Sequence, residues 1–460
     1  MKIEATTLDA YKLIHEGVLA LARAERQGFH IDVEYCERKK KFLTKKIDKL
    51  TNDILESDFF AKWKKVYGKK SNIESGTQLA HILYVVMKIK APRKTAGGGG
   101  STDEEALSHI KGVPELSKII EIRKLRKLRD TYLDAFLREQ QDGYIHPFYN
   151  LHTVVTYRSS SDSPNFQNLP KRDKVALNIV RRAILPRPGH MLMEADFSGL
   201  EVSISACYHK DPTMLKYLFD PTSDMHSDMA AQIFFMDKID KHLPSHKILR
   251  QAAKNGFVFP QFYGDYYGNN ARGICEWVKL PHSKWKEGKG IELPDGSHIS
   301  DHLIAHGITG YNAFVEHMKD VEHDFWFNRF PVYNNWKDQW VRQYQEQGHI
   351  DMYTGFTCRG VMRRNEVINY PVQGSASHCE QWSFNRCDEV MREEKWDTKL
   401  LGSIHDSIIF DVLPSEKEHV KEVITRITCK ELAENWKWII VPLSIDIDEY
   451  GIDEPWIMKD

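Results

Sequence analysis

Two aspartates stand out among the residues that could do chemistry in this sequence. Asp196 ends the apolar stretch "MLMEADF", and Asp406 lies at the turn of an apolar hairpin, "LLGSIHDSIIFDV" (residues 400–412). Charged side chains are rarely placed beside a sheet core without a partner. Each aspartate is therefore either part of a solvated turn or a binding group, and Asp196 could equally cap the helix that follows it.

A basic pair with aromatic neighbours lies between the two aspartates. Arg250 and Lys254 are four residues apart in "HKILRQAAKNGFVFPQFYGD" (246–265), so that on a helix they share one face. The aromatic residues around them are Phe257, Phe259, Phe262 and Tyr263. Taken alone, the two cations could form a solvated basic face, and packing in a core is the favoured explanation of the aromatic residues.

Taken together, the aspartates, the cations and the aromatic residues suit phosphoryl transfer. Two carboxylates can hold two divalent metal ions about 4 Å apart, one activating an attacking hydroxyl and the other stabilising the leaving oxygen. The cations would neutralise a triphosphate, and an aromatic face offers a surface on which a base can stack.

The surrounding pattern predicts an α+β fold that positions these groups. Apolar spacing predicts helices over 8–30, 34–66, 104–141, 199–219, 245–258 and 415–436, and within "FPVYNNWKDQWVRQYQEQG" and "QGSASHCEQWSFNRCDEVMREE". Strand patterns lie in 142–195, "LLGSI", "SIIFDV" and "IIVPLSIDI". Gly97 to Gly100 form a flexible tip or linker, with Ser101 or Thr102 expected to cap the next helix. Helices and strands do not alternate strictly, which favours α+β over a doubly wound sheet.

Composition narrows the class of protein further. With 460 residues, 41% hydrophobic and 28% charged, the chain is expected to form two to four subdomains of an ordinary globular protein. No apolar run is long enough to cross a bilayer, and no secretory signal is present. Seven cysteines without a CxxC pair predict neither a disulfide framework nor a zinc site, and indicate a reducing, cytoplasmic setting. The net charge of −1 gives no hint of a polyanionic partner.

Six motifs in order resemble those of the family A DNA polymerases, the class of bacterial DNA polymerase I and its phage relatives. The motifs are "TYRSSSDSPNFQNLP" (156–170), "DFSGLE" (196–201), "DMHSDMA" (224–230), "RQAAKNGFVFPQFYG" (250–264), "NYPVQGSASH" (369–378) and "IHDSIIFDV" (404–412). They are similar to the family's TGRLSSSDPNLQNIP, DYSQIE, DIHTxTA, RxxxKxxxFGxxYG, NMPVQGTAAD and VHDELVFEV. The resemblance covers nearly the whole chain.

The resemblance implies a right-hand polymerase with an antiparallel-sheet palm, a helical thumb and helical fingers. Residues 1–36 would lead from the palm into the thumb, 37–140 would form the thumb, 141–244 the first part of the palm, 245–345 the fingers and 346–460 the second part of the palm. The locally basic runs 37–49 and 122–130 would then track the DNA backbone. The segment 265–330 resembles the family least, and is interpreted as a possible insertion that touches template or a partner.

The resemblance also implies roles for individual residues. Asp196 and Asp406 would bind two Mg²⁺ ions, for which Mn²⁺ could substitute, with the carbonyl of Phe197 as a further ligand. The other implied roles are triphosphate binding by Arg250, Lys254 and His226, sugar selection by Glu201 as a steric gate, base stacking by Phe259 near Tyr263, minor-groove contacts by Arg158, Asn369 and Gln373, and contact with the primer terminus by His405.

The chain departs from the family pattern at three places. The interval from Lys254 to Tyr263 is one residue longer, so either Val258 or Phe259 could take the stacking position, and we favour Phe259. An extra residue followed by Pro260 predicts a bulged or kinked helix between Lys254 and Pro260. Ser407 stands where the family has Glu, and Phe197 where it has Tyr.

The predicted activity is template-directed addition of dNTPs to a primer 3′-hydroxyl by a two-metal mechanism. Primer–template DNA and dNTPs are the predicted partners, with separate replication proteins (an exonuclease, a helicase or a processivity factor) possible, and no membrane. Proofreading by this chain is not expected. The alternatives are a reverse transcriptase or RNA polymerase of the same superfamily and, in another class, a catalytically silent DNA-binding replication subunit. A phage-encoded protein would act in the cytoplasm of a bacterial host.

Overall fold

The computed structural model describes residues 5–95, 97–170, 173–404 and 406–457. It confirms the α+β class, because the described chain is mainly helical and its strand pairings are antiparallel. The α-helices are Thr7–Gln27, Val33–Leu55, Asp58–Tyr67, Gly76–Ala80, Glu104–Ser108, Glu115–Arg126, Asp134–Glu139, Lys174–Arg181, Leu200–His209, Pro212–Phe219, Met225–Phe234, Pro244–Ala253, Phe259–Phe262, Tyr267–Trp277, Ile299–Ala305, Tyr311–Asp324, Pro331–Gln347, Arg364–Glu393, Lys417–Arg426 and Leu432–Asn435.

A four-stranded antiparallel sheet forms the centre of the described structure. Its strands are β1 (Met191–Phe197), β2 (Lys399–Ile404), β3 (Ser407–Val412) and β4 (Ile445–Glu449), in the spatial order β4-β1-β3-β2. Every residue of β3 is buried, which explains its unbroken apolar character. Helices Thr7–Gln27 and Arg364–Glu393 contact each other and the sheet, and this packing holds the strand ends in place.

Short strands and irregular helical turns complete the architecture. Three strands form a small sheet (Phe29–Ile31, Tyr144–Ile145, Ile184–Leu185), and two hairpins pair Phe148–Asn150 with Ser160–Asp162 and His349–Asp351 with Thr357–Arg359. The π-helical segments are His81–Val86, Lys127–Leu133, Lys254–Val258, Phe325–Arg329 and Ile427–Glu431, and the 3₁₀ turns are Gly68–Lys70, Phe166–Asn168 and Pro414–Glu416.

Residues 33–139 make a first helical lobe whose apolar core includes the fully buried Trp63 and Phe136 and continues onto the central sheet at Leu192 and Ile409. The helix predicted over 104–141 is broken, since Glu104–Ser108 ends before Glu115–Arg126 begins after Pro114. Proline disfavours helical backbone in the residue before it. The N-cap is also different from the prediction: Asp103, rather than Ser101 or Thr102, accepts from the backbone N–H of Ala106.

Residues 212–347 make a second helical lobe around a core rich in aromatic side chains, among them Phe257, Phe314 and Phe325. Helix Pro244–Ala253 continues as a π-helical turn over Lys254–Val258 and then as Phe259–Phe262. This confirms the predicted bulge between Lys254 and Pro260. The π turn accommodates the extra residue without a break in the helix.

Two boundaries near the carboxyl end differ from the sequence prediction. The strand expected over "IIVPLSIDI" is confined to Ile445–Glu449, because Pro442 cannot donate to a sheet ladder. The helix expected over 415–436 is Lys417–Arg426, followed by a π turn and the short helix Leu432–Asn435. None of the helices in the described ranges combines the length and the apolar character needed to span a membrane.

Candidate active site

The two aspartates predicted to act together meet at one end of the central sheet. Asp196 lies in β1, directly opposite Ser407 at the start of β3. The Ser407 hydroxyl donates to Oδ1 of Asp196 at 2.5 Å, and the Phe197 amide donates to the backbone oxygen of Asp406 at 3.2 Å. The structure therefore brings together two aspartates whose positions are 210 residues apart in the sequence.

Strand β4 adds a third acidic side chain that the sequence reasoning missed. Asp446 pairs with Asp196 from the opposite side to Ser407, and directly opposed residues of an antiparallel pair lie on one face. The Ser198 hydroxyl donates to Asp446 at 2.7 Å. The alternating acids of "IDIDE" were the available signal. Carboxylate and carbonyl oxygens are the donors that Mg²⁺ and Mn²⁺ prefer, so the residue set fits a hard divalent cation.

A cavity of about 230 Å³ opens beside Asp406. Phe259 and Tyr263 line it, whereas Val258 is fully buried in the lobe core. Of the two residues left open by the sequence, Phe259 is thus the one that faces the cavity. The remaining lining residues are Gly199, Leu200, Glu201, Val202, Ser205, Met214, Phe262, Tyr333, Asn369, Val372 and Gln373.

Glu201 lies on the wall of this cavity because of a tight strand-to-helix turn. Gly199 adopts φ +64°, the left-handed region that glycine enters without a Cβ clash, and helix Leu200–His209 starts immediately after it. Glu201 accepts a hydrogen bond from the Tyr263 hydroxyl and lies 3.8 Å from Arg158. Burial and the Glu201 carboxylate raise the pKa of Tyr263, which keeps the phenol protonated.

Arg250 is held by an acid that the sequence reasoning did not select. Its guanidinium makes two hydrogen bonds to Asp224, at 2.8 and 3.2 Å, and Lys241 contacts the same carboxylate at 2.7 Å. Burial opposes ionisation of Asp224, but the hydrogen bonds from Arg250 and Lys241 prevail and lower its pKa. Asp224 also caps helix Met225–Phe234. In the sequence, Asp224 could be recognised as a helix cap but not as the partner of Arg250.

Lys254 and His226 extend this basic group to the cavity wall. The Lys254 amine lies 5.2 Å from the centre of the Phe259 ring, and His226 packs edge-on against the same ring at 5.6 Å. Burial, with the nearby Arg250, lowers the pKa of Lys254, and burial together with Lys254 lowers that of His226 to about 4. Within the described part of the chain, His226 Nδ1 is buried and has no hydrogen-bond partner.

Comparison with known proteins shows the family to which the chain belongs. The model of "DNA polymerase family A" matches residues 34–287 and 321–452. The chain belongs to this family. It is similar to DNA polymerase I of Aquifex aeolicus, with 27% identity over 95% of this chain and 66% of that protein. It is also similar to DNA polymerase I of Caldicellulosiruptor bescii, with 26% identity over 93% of this chain and 45% of that protein.

A solved structure shows the same fold as this family A chain. It is the POL domain of Pol1 from M. smegmatis, in complex with DNA primer-template and dNTP, with a TM-score of 0.72 and 22% identity. The match covers 96% of this chain and 69% of that one. Against the two curated polymerases, the chain spans 66% and 45% of their length.

The residues predicted to contact the minor groove lie around two adjoining cavities of this family A chain. Arg158 lines a second cavity of about 410 Å³, and Gln373 lines both that one and the cavity beside Asp406. Asn369 donates to the carbonyl of Tyr263 at 3.5 Å. His405, predicted to lie at the primer terminus, falls outside the described residues.

Glu380 is a further acid that the sequence did not reveal. It is 1% exposed on helix Arg364–Glu393, and burial raises its pKa to about 8, against a smaller opposite effect of Ser403. Asp406 also raises this pKa, so the two acids lie within electrostatic reach. A glutamate within a long helix carries no sequence signal of burial, because only packing against the sheet removes it from water.

Proposed function

We propose that the chain is a template-directed DNA polymerase that adds dNTPs to a primer 3′-hydroxyl. The observation that carries the proposal is the proximity of Asp196 and Asp406 beside a cavity that Phe259 also lines, and the ring of Phe259 contacts Lys254 and His226. Carboxylates beside the cavity and cations behind Phe259 would suit a triphosphate whose α-phosphate faces the carboxylates. The family membership and the fold support the same reaction.

In this proposal Asp196, Asp406 and the carbonyl of Phe197 hold divalent cations, Mg²⁺ by preference and Mn²⁺ as a substitute. When bound, such a pair of ions lowers the pKa of the attacking hydroxyl and stabilises the leaving oxygen. The oxygen donors of these residues fit hard cations. The hydrogen bond from Ser407 fixes the direction of the Asp196 carboxylate.

The cations on the second lobe would bind the triphosphate. Arg250 is already charged and oriented by Asp224, so it can transfer one or both N–H donors to a phosphate oxygen. Lys254 and His226 lie against Phe259, whose ring would support the base of the incoming nucleotide. We propose that the pyrophosphate leaves along this basic group.

Glu201 would select the sugar. Glu201 lies on the cavity wall and accepts a hydrogen bond from Tyr263, which supports the proposal that its carboxylate would occupy the room that a ribose 2′-hydroxyl needs. This favours DNA synthesis over the RNA polymerase alternative. Primer extension on an RNA template tests the reverse-transcriptase alternative. The charged set of Arg250, Lys254 and the two aspartates argues against a silent DNA-binding subunit.

We propose that the described elements form the thumb, the fingers and the palm of a right-hand polymerase. The first helical lobe would be the thumb, the second helical lobe the fingers, and the central sheet with its two long helices the palm. Arg158, Asn369 and Gln373 would contact the minor groove of the primer–template near Asp406. Proteins of replication such as a helicase, a processivity factor or a separate exonuclease are predicted partners, and the bacterial cytoplasm is the predicted location, of a phage host if the gene is a phage gene.

Primer extension with isosteric variants tests the reaction. Asp196→Asn and Asp406→Asn should each abolish dNTP addition while leaving primer–template binding intact, because the amides keep the shape but cannot hold two cations. Asp142→Asn is the matched control, since Asp142 is exposed and Asn also tolerates its φ of +51°. Extension by either active-site variant at the wild-type rate would disprove the proposal.

The sugar gate has a separate test. Glu201→Ala should raise rNTP incorporation relative to dNTP incorporation. Tyr263→Phe should raise it less, because the Glu201 carboxylate then loses one hydrogen bond but is still present. An unchanged rNTP/dNTP ratio in Glu201→Ala would remove the gate from the proposal. The prediction that this chain does not proofread can be read in the same gels, as degradation of a labelled mismatched primer would contradict it.

A further inference from the structure

Three exposed side chains that play no part in the proposed reaction lie close together in space, and none of them belongs to a strand of the central sheet. His109 follows helix Glu104–Ser108, Glu276 lies in helix Tyr267–Trp277, and His282 lies in the loop after that helix. One potential ligand atom from each lies within 4.8 Å of the others. In the described part of the chain, this is the one group of three histidine, cysteine or acidic residues with such spacing.

The residue types suit a transition metal. Two imidazoles and one carboxylate form a common zinc-binding set, with a water molecule in the fourth position. The sequence predicted no zinc site on the basis of the cysteine pattern alone. That reasoning does not cover a site made of histidines and a carboxylate. Ligands drawn from segments far apart in the chain leave no short sequence motif.

The surroundings of His109 are those of a metal-binding histidine. Its Nδ1 lies 2.7 Å from the backbone oxygen of Glu105, which holds that nitrogen as the N–H donor and leaves Nε2 for a ligand. The His282 ring packs at 4.9 Å from the ring of Tyr311, which restricts its rotation. Both rings are thus partly oriented before any ion binds, which reduces the entropy lost on binding.

The cluster joins two parts of the chain that are otherwise separate in sequence. His109 belongs to the first helical lobe, whereas Glu276 and His282 belong to the second. His282 also lies just before residues 288–320, which the family model does not match. An ion held here would therefore tie the two lobes together next to a segment that departs from the family pattern.

We propose that His109, Glu276 and His282 form a binding site for a transition-metal ion of the Zn²⁺ type, which clamps the first helical lobe to the second. The ion is not part of the polymerase reaction, and the site is distinct from the carboxylates of the central sheet.

Cobalt is the probe, because four-coordinate Co²⁺ with nitrogen ligands has an intense visible absorption that octahedral Co²⁺ lacks. The full chain is titrated with Co²⁺ in excess Mg²⁺, which occupies the oxygen-ligand sites. We expect one equivalent of four-coordinate Co²⁺, displaced stoichiometrically by Zn²⁺. Absence of this band in the wild-type protein would overturn the proposal.

Variants assign the ligands and test the clamp. His109→Ala and His282→Ala should each weaken Co²⁺ binding at least tenfold, and Glu276→Gln should weaken it as well. His306→Ala is the matched control, an exposed histidine in the same lobe outside the cluster, and should bind as the wild type does. Because His109 alone comes from the first lobe, undiminished binding by His109→Ala would refute the clamp, and undiminished binding by His282→Ala would refute the site.

Discussion

The hydroxyl of Ser407 and the carboxylate of Asp196 are joined by a hydrogen bond across neighbouring strands of the central sheet, 2.5 Å in length. Ser407 stands where the family pattern has a glutamate, so this chain replaces a nearby charge with a neutral donor. A donor to Oδ1 fixes the carboxylate and leaves fewer lone pairs for competing contacts. Ser407 is therefore a positioning residue in the proposed reaction.

Removal of this donor should change the metal requirement of the enzyme. In Ser407→Ala we expect the Mg²⁺ concentration for half-maximal primer extension to rise about three- to tenfold, since a hydrogen bond to a charged group contributes about 1.5–3 kcal/mol, part of which the ion restores. Saturating Mg²⁺ should recover most of the rate. The exposed Ser108→Ala serves as control, and an unchanged Mg²⁺ titration in Ser407→Ala would show that the bond does not position Asp196.

The ion pair between Arg250 and Asp224 predicts a nucleotide-binding defect. Arg250→Ala should raise the KM for dNTP by about tenfold or more, because a charge-assisted bidentate contact contributes about 1.5–3 kcal/mol. Affinity for primer–template should change little. Lys241→Ala removes the other cation on Asp224 and is the control for a general loss of charge. Equal KM increases in both variants, measured by steady-state single-nucleotide addition, would argue against a specific role for Arg250.

The packing of the π turn at Lys254–Val258 leads to a stability prediction that compares two glycine positions, one of which serves as the control. A Cβ added at Gly256 would lie 2.8 Å from a side-chain carbon of Ile274, whereas one added at Gly273, in the facing helix, would meet only the Cα of Gly256 at 3.8 Å. Gly256→Ala should therefore lower the free energy of unfolding by about 1–3 kcal/mol through overpacking. Gly273→Ala should be neutral or stabilising. Urea unfolding that ranks the two variants in the opposite order would contradict this packing.

The buried histidine His209 predicts a loss of stability in mild acid. The Asp211 amide donates to its Nδ1 at 2.9 Å, its ring stacks on Tyr333 at 3.9 Å, and burial lowers its pKa from 6.5 to about 3. Between these two values the unfolded chain binds the proton and the folded chain does not, so stability falls as the pH drops below 6.5, by up to about 1.4 kcal/mol per pH unit.

The variant His209→Gln tests that assignment, because glutamine keeps an acceptor for the Asp211 amide but does not titrate. We expect urea midpoints measured at pH 7 and pH 5 to differ less for His209→Gln than for the wild type. Other buried histidines contribute to the same trend, among them His378, whose pKa burial lowers to about 3. Parallel pH profiles for the variant and the wild type would exclude His209 as a source.

Several features of the site were predictable because they depend on local sequence. The strand that carries Asp196 near its end, the hairpin that carries Asp406 and the shared helix face of Arg250 and Lys254 each follow from apolar periodicity within about twenty residues. The helix bulge before Pro260 was predictable too, since one extra residue must be accommodated somewhere in the turn.

Local sequence determined which groups are present and in what order; tertiary packing decided which of them meet. Asp224 as the partner of Arg250, Asp446 beside Asp196 and the burial of Glu380 were all missed, because each depends on a contact between elements distant in the chain. The convergence of His109 with Glu276 and His282 is of the same kind. Such contacts follow from how the helices and strands bury their apolar faces together, which periodicity along one segment does not encode.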